Sequence, residues 1–320
     1  MLDPKRLRQN PQEVADRLAR RGVAFDLARF ESLESQRKQL QTETEQLQAT
    51  RNKSSKEIGF AKSKGLDATP LFEQVEAIKQ QLSERETALA QLQVELEDFL
   101  LRIPNLPHES VPDGSSEADN LELRRWGTPR QFSFTPKDHA DIGEALGQMD
   151  FAAGAKLTGS RFVVLKRDIA RLHRALIQFM LDVHTEQHGY EELYVPYLVN
   201  AASLKGTGQL PKFREDLFGI KDDEGRDWCL IPTAEVPVTN LLRDEIVEAA
   251  ELPKKWVAHT PCFRSEAGSG GRDIKGMIRQ HQFEKVQLVQ AVLPQQSYAA
   301  LGQTTGHAEA ILQNWNYPTG

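Results

Sequence analysis

With 320 residues, the chain is long enough for two domains and a substantial core. Hydrophobic residues make up 39% and charged residues 27%, and the formal net charge of −6 excludes a surface that is basic throughout, so any nucleic-acid contact has to come from a local patch. Cys229 and Cys262 form no CxxC pair and give no metal signature. The opening MLDPKRLRQNP lacks a signal-peptide core and no run approaches a membrane span, so a cytoplasmic protein without membrane association is the expectation.

Residues 1–22 read as a short helical segment, with Asp3 as cap and Pro4 at the first helical position. Leu2, Leu7, Val14 and Leu18 form its apolar face. From about Arg29 to Phe60 the chain is polar and helix-favouring, and Leu33, Leu40 and Leu47 fall seven apart. From Leu71 to Phe99, Val75, Leu82, Leu89 and Leu96 make one heptad position and Ile78, Leu92 and Phe99 the other, with Arg85 off pattern. Between the two runs, Lys62 to Pro70 holds Gly65 and Pro70, a turn signal. Two heptad helices on a short turn predict an antiparallel coiled-coil arm over about 29–99, within a domain spanning 1–102. Near its tip, Arg51, Lys53, Lys56, Lys62 and Lys64 meet only Glu57. Coiled-coil exteriors are charged everywhere, so the bias alone leaves two readings open, a solvated face or a phosphate-binding surface.

Residues 103–135 change character: IPNLPHESVPDGSSEADN predicts an extended, solvated linker. A core over 136–320 follows. Ile169, Leu172, Leu176, Phe179, Met180 and Val183 predict an amphipathic helix over 168–187, ended by Gly189. Leu193, Val195, Tyr197 and Val199 alternate as a strand interrupted by Pro196, which belongs at an edge or a subunit boundary. Leu204 to Phe213 reads as a glycine-containing loop without the ending of a phosphate-binding P-loop, and DDEGR at 222–226 as a hairpin turn. In CLIPTAEVPVTN, Thr233 and Glu235 are expected to alternate at a strand end, and 241–250 to form a helix. On the residues alone, Glu235 reads as a solvated turn carboxylate.

Val257 to Val292 predicts a long hairpin around a basic, glycine-rich loop that holds Arg272, Lys275 and Arg279. Arg264 and Glu266 are expected to leave one face of an extended segment, and Phe283 on the return strand offers a flat ring. An arginine fork suits phosphate and a carboxylate accepts from an exocyclic amine, so the three make an ATP cradle. Taken singly, the same residues read as a surface ion pair and a core ring.

The run FRSEAG…GRD…G..R.HQFEK, Phe263 to Lys285, resembles motif 2 of the class II aminoacyl-tRNA synthetases and is similar to the seryl-tRNA synthetase version. The helix and Pro196 strand resemble motif 1, the dimerisation element, and Thr233-Ala234-Glu235 the family's serine-binding segment. The resemblance implies an α+β fold: a helical arm that grips tRNA(Ser) through Arg51, Lys53, Lys56, Lys62 and Lys64, and an antiparallel-sheet core flanked by helices. It implies ATP binding by Arg264, Ser265, Glu266 and Phe283, with Arg264 on the α-phosphate, and L-serine binding by Thr233, Ala234, Glu235 and Gln287. Mg²⁺ is expected with the ATP, with no protein metal site, and a homodimer is expected in the full-length parent. Arg272 and Arg279 are expected near the tRNA acceptor end. The implied reaction joins serine to ATP's α-phosphate, then passes the seryl group to the tRNA 3′ end, with no covalent enzyme nucleophile.

Two departures from the family pattern stand out. Gln287 replaces a glutamate that contacts serine, and the lost charge is expected to weaken serine binding by about 1–3 kcal/mol. The resemblance is expected to stop near Gln313, before motif 3 and its γ-phosphate arginine, leaving the core incomplete and the chain inactive. Asn314 to Gly320 fits an out-of-frame reading of a Lys-Leu-Glu-Leu-Pro-Tyr-Arg-Val run. A non-catalytic tRNA-binding paralogue is the alternative, and the core motifs set aside a purely structural coiled coil.

Overall fold

The computed structural model describes residues 2–114, 116–266 and 275–319. The chain divides into two compact units, Met1–Leu121 and Glu122–Gly320.

In the first unit, α1 (Pro4–Gln9) is capped by Asp3, whose carboxylate accepts from the Lys5 amide at 2.8 Å. The single segment expected over 1–22 is two helices, because Pro11 has no N–H to continue the ladder; α2 (Pro11–Ala19) starts there. Leu7, Val14 and Leu18 are fully buried, and Leu2 nearly so, as their spacing predicts. Then come α3 (Leu27–Ser63) and α4 (Thr69–Leu101). Gly65 turns the chain at φ +68°, and the Leu66 amide reaches back to the Ala61 carbonyl at 3.0 Å, closing the helix end. The seam buries Leu33, Val75, Ile78, Leu82, Leu92 and Leu96, while Leu40, Leu47, Leu89 and Phe99 are half-buried. Off-pattern Arg85 lies outside the seam, paired with Glu43 on the facing helix at 3.0 Å.

The first part of the expected linker is not free in solvent. Arg17 donates to the Pro107 carbonyl, Arg21 to the Asn105 carbonyl at 2.5 Å, and Arg20 pairs with Asp113 at 2.6 Å. Arginines in and just past α2 thus satisfy carbonyls of this proline-containing stretch, Val111 included through Arg20.

The second unit starts with α5 (His139–Ala145), β1 (Met149–Asp150), α6 (Phe151–Leu157) and β2 (Val164–Leu165). The long amphipathic helix is α7 (Arg167–Asp182), which runs on as a π turn over Val183–Gln187. Of the strand expected over 193–199 only the end is strand, β4 (Leu198–Asn200); just before the expected start, β3 (Glu191–Glu192) pairs in parallel with β7 (Lys254–Phe263) in a different sheet. Pro196, with no N–H to donate, lies in the gap. Helix α8 (Ala201–Gly206) takes the first residues of the expected 204–213 loop. β5 (Gly219–Lys221) and β6 (Asp227–Leu230) form the hairpin around 222–226, giving the antiparallel order β4-β6-β5. Next is the short α9 (Glu235–Thr239). The helix expected over 241–250 is absent; Ile246 stands 95% exposed, and a ten-residue segment with no core to cover it does not sustain a helix.

The long hairpin is β7 (Lys254–Phe263) with β8 (Gln282–Ala291), antiparallel, in the sheet order β3-β7-β8. One face of it, Val257 with Val286 and Leu288, packs on Ile177 and Leu181 of α7 and on Tyr190. The other face carries Ala258, Thr260 and Cys262 beside Val289, Gln287, Lys285 and Phe283. Helix α10 (Ser297–Asn314) follows. It is tied to the sheet by a polar network: Gln290 Nε2 donates to Tyr190 Oη at 2.7 Å and to Thr304 Oγ1 at 2.9 Å, and Tyr190 Oη lies 3.0 Å from His307 Nδ1. The His307 ring stacks on His188 at 4.0 Å, and His188 Nδ1 lies 2.9 Å from His184 Nδ1. Beyond α10, Trp315 stacks on Phe179 and Thr319 pairs with Trp126.

Candidate active site

Three segments meet on the open face of the hairpin. The first is the end of β7. Arg264 continues the pairing past Phe263: its amide donates to the His281 carbonyl at 2.9 Å, and its own carbonyl lies 2.9 Å from His281 Nδ1. The Arg264 guanidinium sits 5.2 Å over the Phe283 ring, with Nε 3.4 Å from the Pro232 carbonyl.

Glu266 departs from expectation. Its φ of +51° takes the backbone out of the extended region, so Arg264 and Glu266 do not leave one face of a straight strand. The kink instead brings Glu266 to Arg279 on the far side of the loop, Nη1 to Oε2 at 3.1 Å. Arg279 is thereby part of the cradle wall. Arg272 and the glycines at 268, 270 and 271 lie outside the described residues. Arg264, Glu266, Met277, Ile278, Arg279, Gln280 and Phe283 line a cavity of about 380 Å³. Gln280 is a wall residue that sequence reasoning missed; it is buried, with Nε2 on the Gly276 carbonyl at 2.8 Å and Oε1 without a hydrogen-bond partner among the described residues.

Ser265 is used structurally. Its amide donates to the Asp216 carbonyl at 3.0 Å and its hydroxyl to the Glu215 carbonyl, which fixes the strand end to the turn at 214–216. The loop end is held too: Lys275 pairs with Asp138 and with Asp141, the latter at 2.8 Å, raising the Lys275 pKa through those hydrogen bonds. Gly276, at φ +72°, passes so close to His139 that a Cβ would lie 2.1 Å from its Nε2.

The second segment is the loop from Ile231 to Glu235. It is pinned to β7 by the Phe263 amide, which donates to the Ile231 carbonyl at 2.9 Å. Thr233 and Glu235 do not alternate on a strand end: β6 stops at Leu230, Thr233 lies in the loop, and Glu235 opens α9 with its amide 3.2 Å from Thr233 Oγ1. Two prolines, Pro232 and Pro237, keep this stretch out of a ladder. Thr233 and Ala234 are buried and Glu235 is exposed.

The third segment is β8. Thr233 Oγ1 donates to Gln287 Oε1 at 3.1 Å and accepts from Lys285 Nζ at 3.1 Å, while Gln287 Nε2 donates to the Leu288 carbonyl at 2.9 Å. Thr233 and Gln287, 54 positions apart, thus touch directly. Lys285 is the second residue that sequence reasoning missed. The signal was present: positions 283, 285 and 287 alternate onto one strand face. Burial pushes the Lys285 pKa down, opposed by Cys262 and, more weakly, by Glu235, while the neighbouring Arg264 charge adds to the downward pull.

The face can therefore offer a flat ring, two cations and a set of short polar groups in a line. Among the described residues, no group of three or more His, Cys, Asp or Glu is arranged to hold a metal ion. The five basic arm residues are far from this face in sequence and sit on α3 or, for Lys64, at its C-terminal cap: Lys53, Lys56, Lys62 and Lys64 are exposed and Arg51 half-buried. Lys53 lies 3.9 Å from Glu57, and Lys62 sits 4.8 Å over the Phe72 ring. At 3.6 residues per turn, Lys53 and Lys56 project away from the seam and Arg51 and Lys62 flank it, while Lys64 lies just past the end of α3.

Residues 1–107 match the family described as the seryl-tRNA synthetase N-terminal domain, and residues 218–318 match the class II tRNA synthetase core domain (G, H, P, S and T). A serine–tRNA ligase of Thiobacillus denitrificans is 60% identical, over 99% of this chain and 74% of its own length. One from Pseudomonas syringae is 58% identical, with 99% and 75% covered. The match thus runs through nearly all of the tail after Gln313, where the likeness was expected to stop. Among solved structures, seryl-tRNA synthetase from Pyrococcus horikoshii, complexed with ATP, superposes with a TM-score of 0.89 at 32% identity, covering 99% of this chain and 75% of that one. A cytoplasmic serine–tRNA ligase from Naegleria fowleri, in complex with AMP, has the same fold, with a TM-score of 0.82 at 24% identity.

Proposed function

The chain belongs to the seryl-tRNA synthetase family, and on that premise we propose that its hairpin face binds ATP and L-serine for adenylation and that its arm binds tRNA(Ser). The observation that carries the proposal is the shared face: Phe283 and Gln287 on β8, Arg264 and Glu266 at the end of β7, and Thr233 hydrogen-bonded to Gln287. Phe283 supplies a stacking surface for adenine and Glu266 a wall beside it. Arg264 takes the α-phosphate. Thr233, Glu235 and Gln287 hold the amino-acid end. Ala234 shapes that end by backbone alone, and Ser265 positions Arg264 and Glu266 rather than touching ATP.

In the reaction, a serine carboxylate oxygen attacks the α-phosphorus. A new P–O bond forms, and the bond to the β-phosphate bridging oxygen breaks, its electron pair leaving with pyrophosphate. The protein's part is orientation and charge stabilisation. Magnesium enters with the ATP substrate, held on phosphate oxygens. Transfer to the 3′ end of tRNA(Ser) completes the cycle, and a homodimer through α7 and the Pro196 segment belongs to the same proposal; Leu172 at 56% and Tyr194 at 88% exposure supply apolar surface there.

The 320-residue chain spans about three quarters of its relatives' length. Tested as it stands, it is proposed to bind ATP without useful turnover. Of the cations lining the cavity among the described residues, Arg279 is paired with Glu266, which leaves Arg264 to meet a triphosphate. Equilibrium ATP binding together with serine-dependent ATP–pyrophosphate exchange tests this. Saturable binding with negligible exchange is expected; no binding refutes the site, and brisk exchange refutes the inactivity.

A further inference from the structure

Lys285 is the cation on this face that the reading above leaves unused. Its side chain is half-buried, its Nζ lies 3.1 Å from Thr233 Oγ1, and no ion pair among the described residues includes it. An ammonium has three donors, and Thr233 takes one. Holding such a group half-desolvated beside a second cation, with no carboxylate bound to it, is unfavourable unless an anion arrives. Burial is the largest cause of its lowered pKa, with Arg264 adding to it and Cys262 and Glu235 opposing.

The strand register locates that anion. Phe283, Lys285 and Gln287 face the same way at successive alternate positions, opposite Cys262, Thr260 and Ala258. Alternate residues on one strand face are about 6.5–7 Å apart. The proposed function puts adenine at Phe283 and the amino-acid end at Gln287. The middle position therefore lies under the junction of the two substrates, where the carboxylate meets the α-phosphate.

We propose that Lys285 is a catalytic residue that binds the anionic carboxylate–phosphate junction alongside Arg264. This rests on the nucleotide reading of the hairpin. During adenylation Lys285 keeps its proton and donates hydrogen bonds to a nonbridging oxygen, offsetting the negative charge that gathers on the phosphorus oxygens as the new bond forms.

Titrating the 320-residue chain with AMP and with adenosine, which share the base and ribose but differ in the phosphate, tests the assignment. Wild type should prefer AMP. Lys285→Met should weaken AMP about ten- to a hundred-fold while leaving adenosine nearly unchanged, and Lys285→Arg should recover most of the loss. Unchanged AMP affinity in Lys285→Met overturns the proposal, and so does equal loss of both ligands, which would mark a packing role. If wild type binds neither ligand, the nucleotide reading itself fails and takes this inference with it. If wild type binds both and only the Lys285 variants are silent, the nucleotide reading stands and this one falls.

Discussion

The arm and the hairpin are both long antiparallel pairs, yet they use their length differently. The α3–α4 seam repeats one kind of contact: leucine, valine and isoleucine buried along the line, with charges such as Arg85 and Glu43 bridging the outside. Each layer resembles the next, so the pairing is strong and carries little information about position. The β7–β8 pair has one apolar face against α7, and a second face on which each position differs: a ring, an ammonium, an amide. The lesson is that repetition builds a spacer, while a site needs a face whose groups are individually committed. Thr233 serves Lys285 and Gln287 at once, and Glu266 is bound to Arg279.

Acid should separate the two regions most sharply. The α3–α4 arm has no histidine. The sheet and α10 are joined through His184, His188 and His307, with Tyr190, Lys255, Gln290 and Thr304 facing them. Tyr190 Oη accepts from Gln290 and lies 3.0 Å from His307 Nδ1, which accepts the phenol proton in the tautomer with Nδ1 unprotonated. Burial pushes the His184 pKa down to about 4, helped by His188 and His307, and burial also lowers His188 and His307. Folded pKa values below the unfolded value near 6.5 mean that the unfolded state binds more protons in between. The stabilisation is therefore complete above about pH 6.5 and drains away as pH falls towards about 4. Tryptophan fluorescence of the core should lose its cooperative transition over that window while the arm's helical circular dichroism persists. A core transition independent of pH from 7 to 4 would show that the cluster does not lock α10.

The next effect concerns the arm. Changing Lys53, Lys56 and Lys64 together to Glu should weaken tRNA binding and reduce the slope of log affinity against log salt by about two to three. Thermal stability should barely move, because all three side chains are exposed. An unchanged slope would leave them a solvated face and remove the arm's tip from the tRNA contact.

A smaller effect is expected at Gln287. Its amide donates to the Leu288 carbonyl, a bond that a glutamate cannot make, so Gln287→Glu must swing the new carboxylate towards Thr233 and Lys285. A gain of up to about ten-fold in serine affinity is expected from the restored charge. Calorimetry with serine in the presence of AMP reads it; no gain would mean that the ammonium of serine does not meet this position.

The arm was legible because heptads are a local code, and even Arg85 announced itself by breaking it. The hairpin was legible as two β-rich runs around glycines. What the sequence hid were the non-local closures. Pro196 marked an interruption in the strand over 193–199, but not that β3 before it and β4 after it join two different sheets. The Thr233 loop looked like strand because its pinning to β7 at Phe263 and Ile231 is a tertiary contact. Glu266 looked extended because a positive φ in a non-glycine residue has no sequence mark; its pairing with Arg279 across the loop supports it. Lys285 was visible in the alternation but silent until Thr233 was placed against it.

The nucleotide site proposed on the open face of β7–β8 is built on Arg264. Titration calorimetry of the 320-residue chain with ATP, wild type beside Arg264→Ala, addresses it at once. Saturable binding at one site per chain is expected in wild type and a loss of about ten-fold or more in the variant, with the thermal midpoint of the core little changed. ATP binding equal in the two proteins, or no binding in wild type, would contradict it.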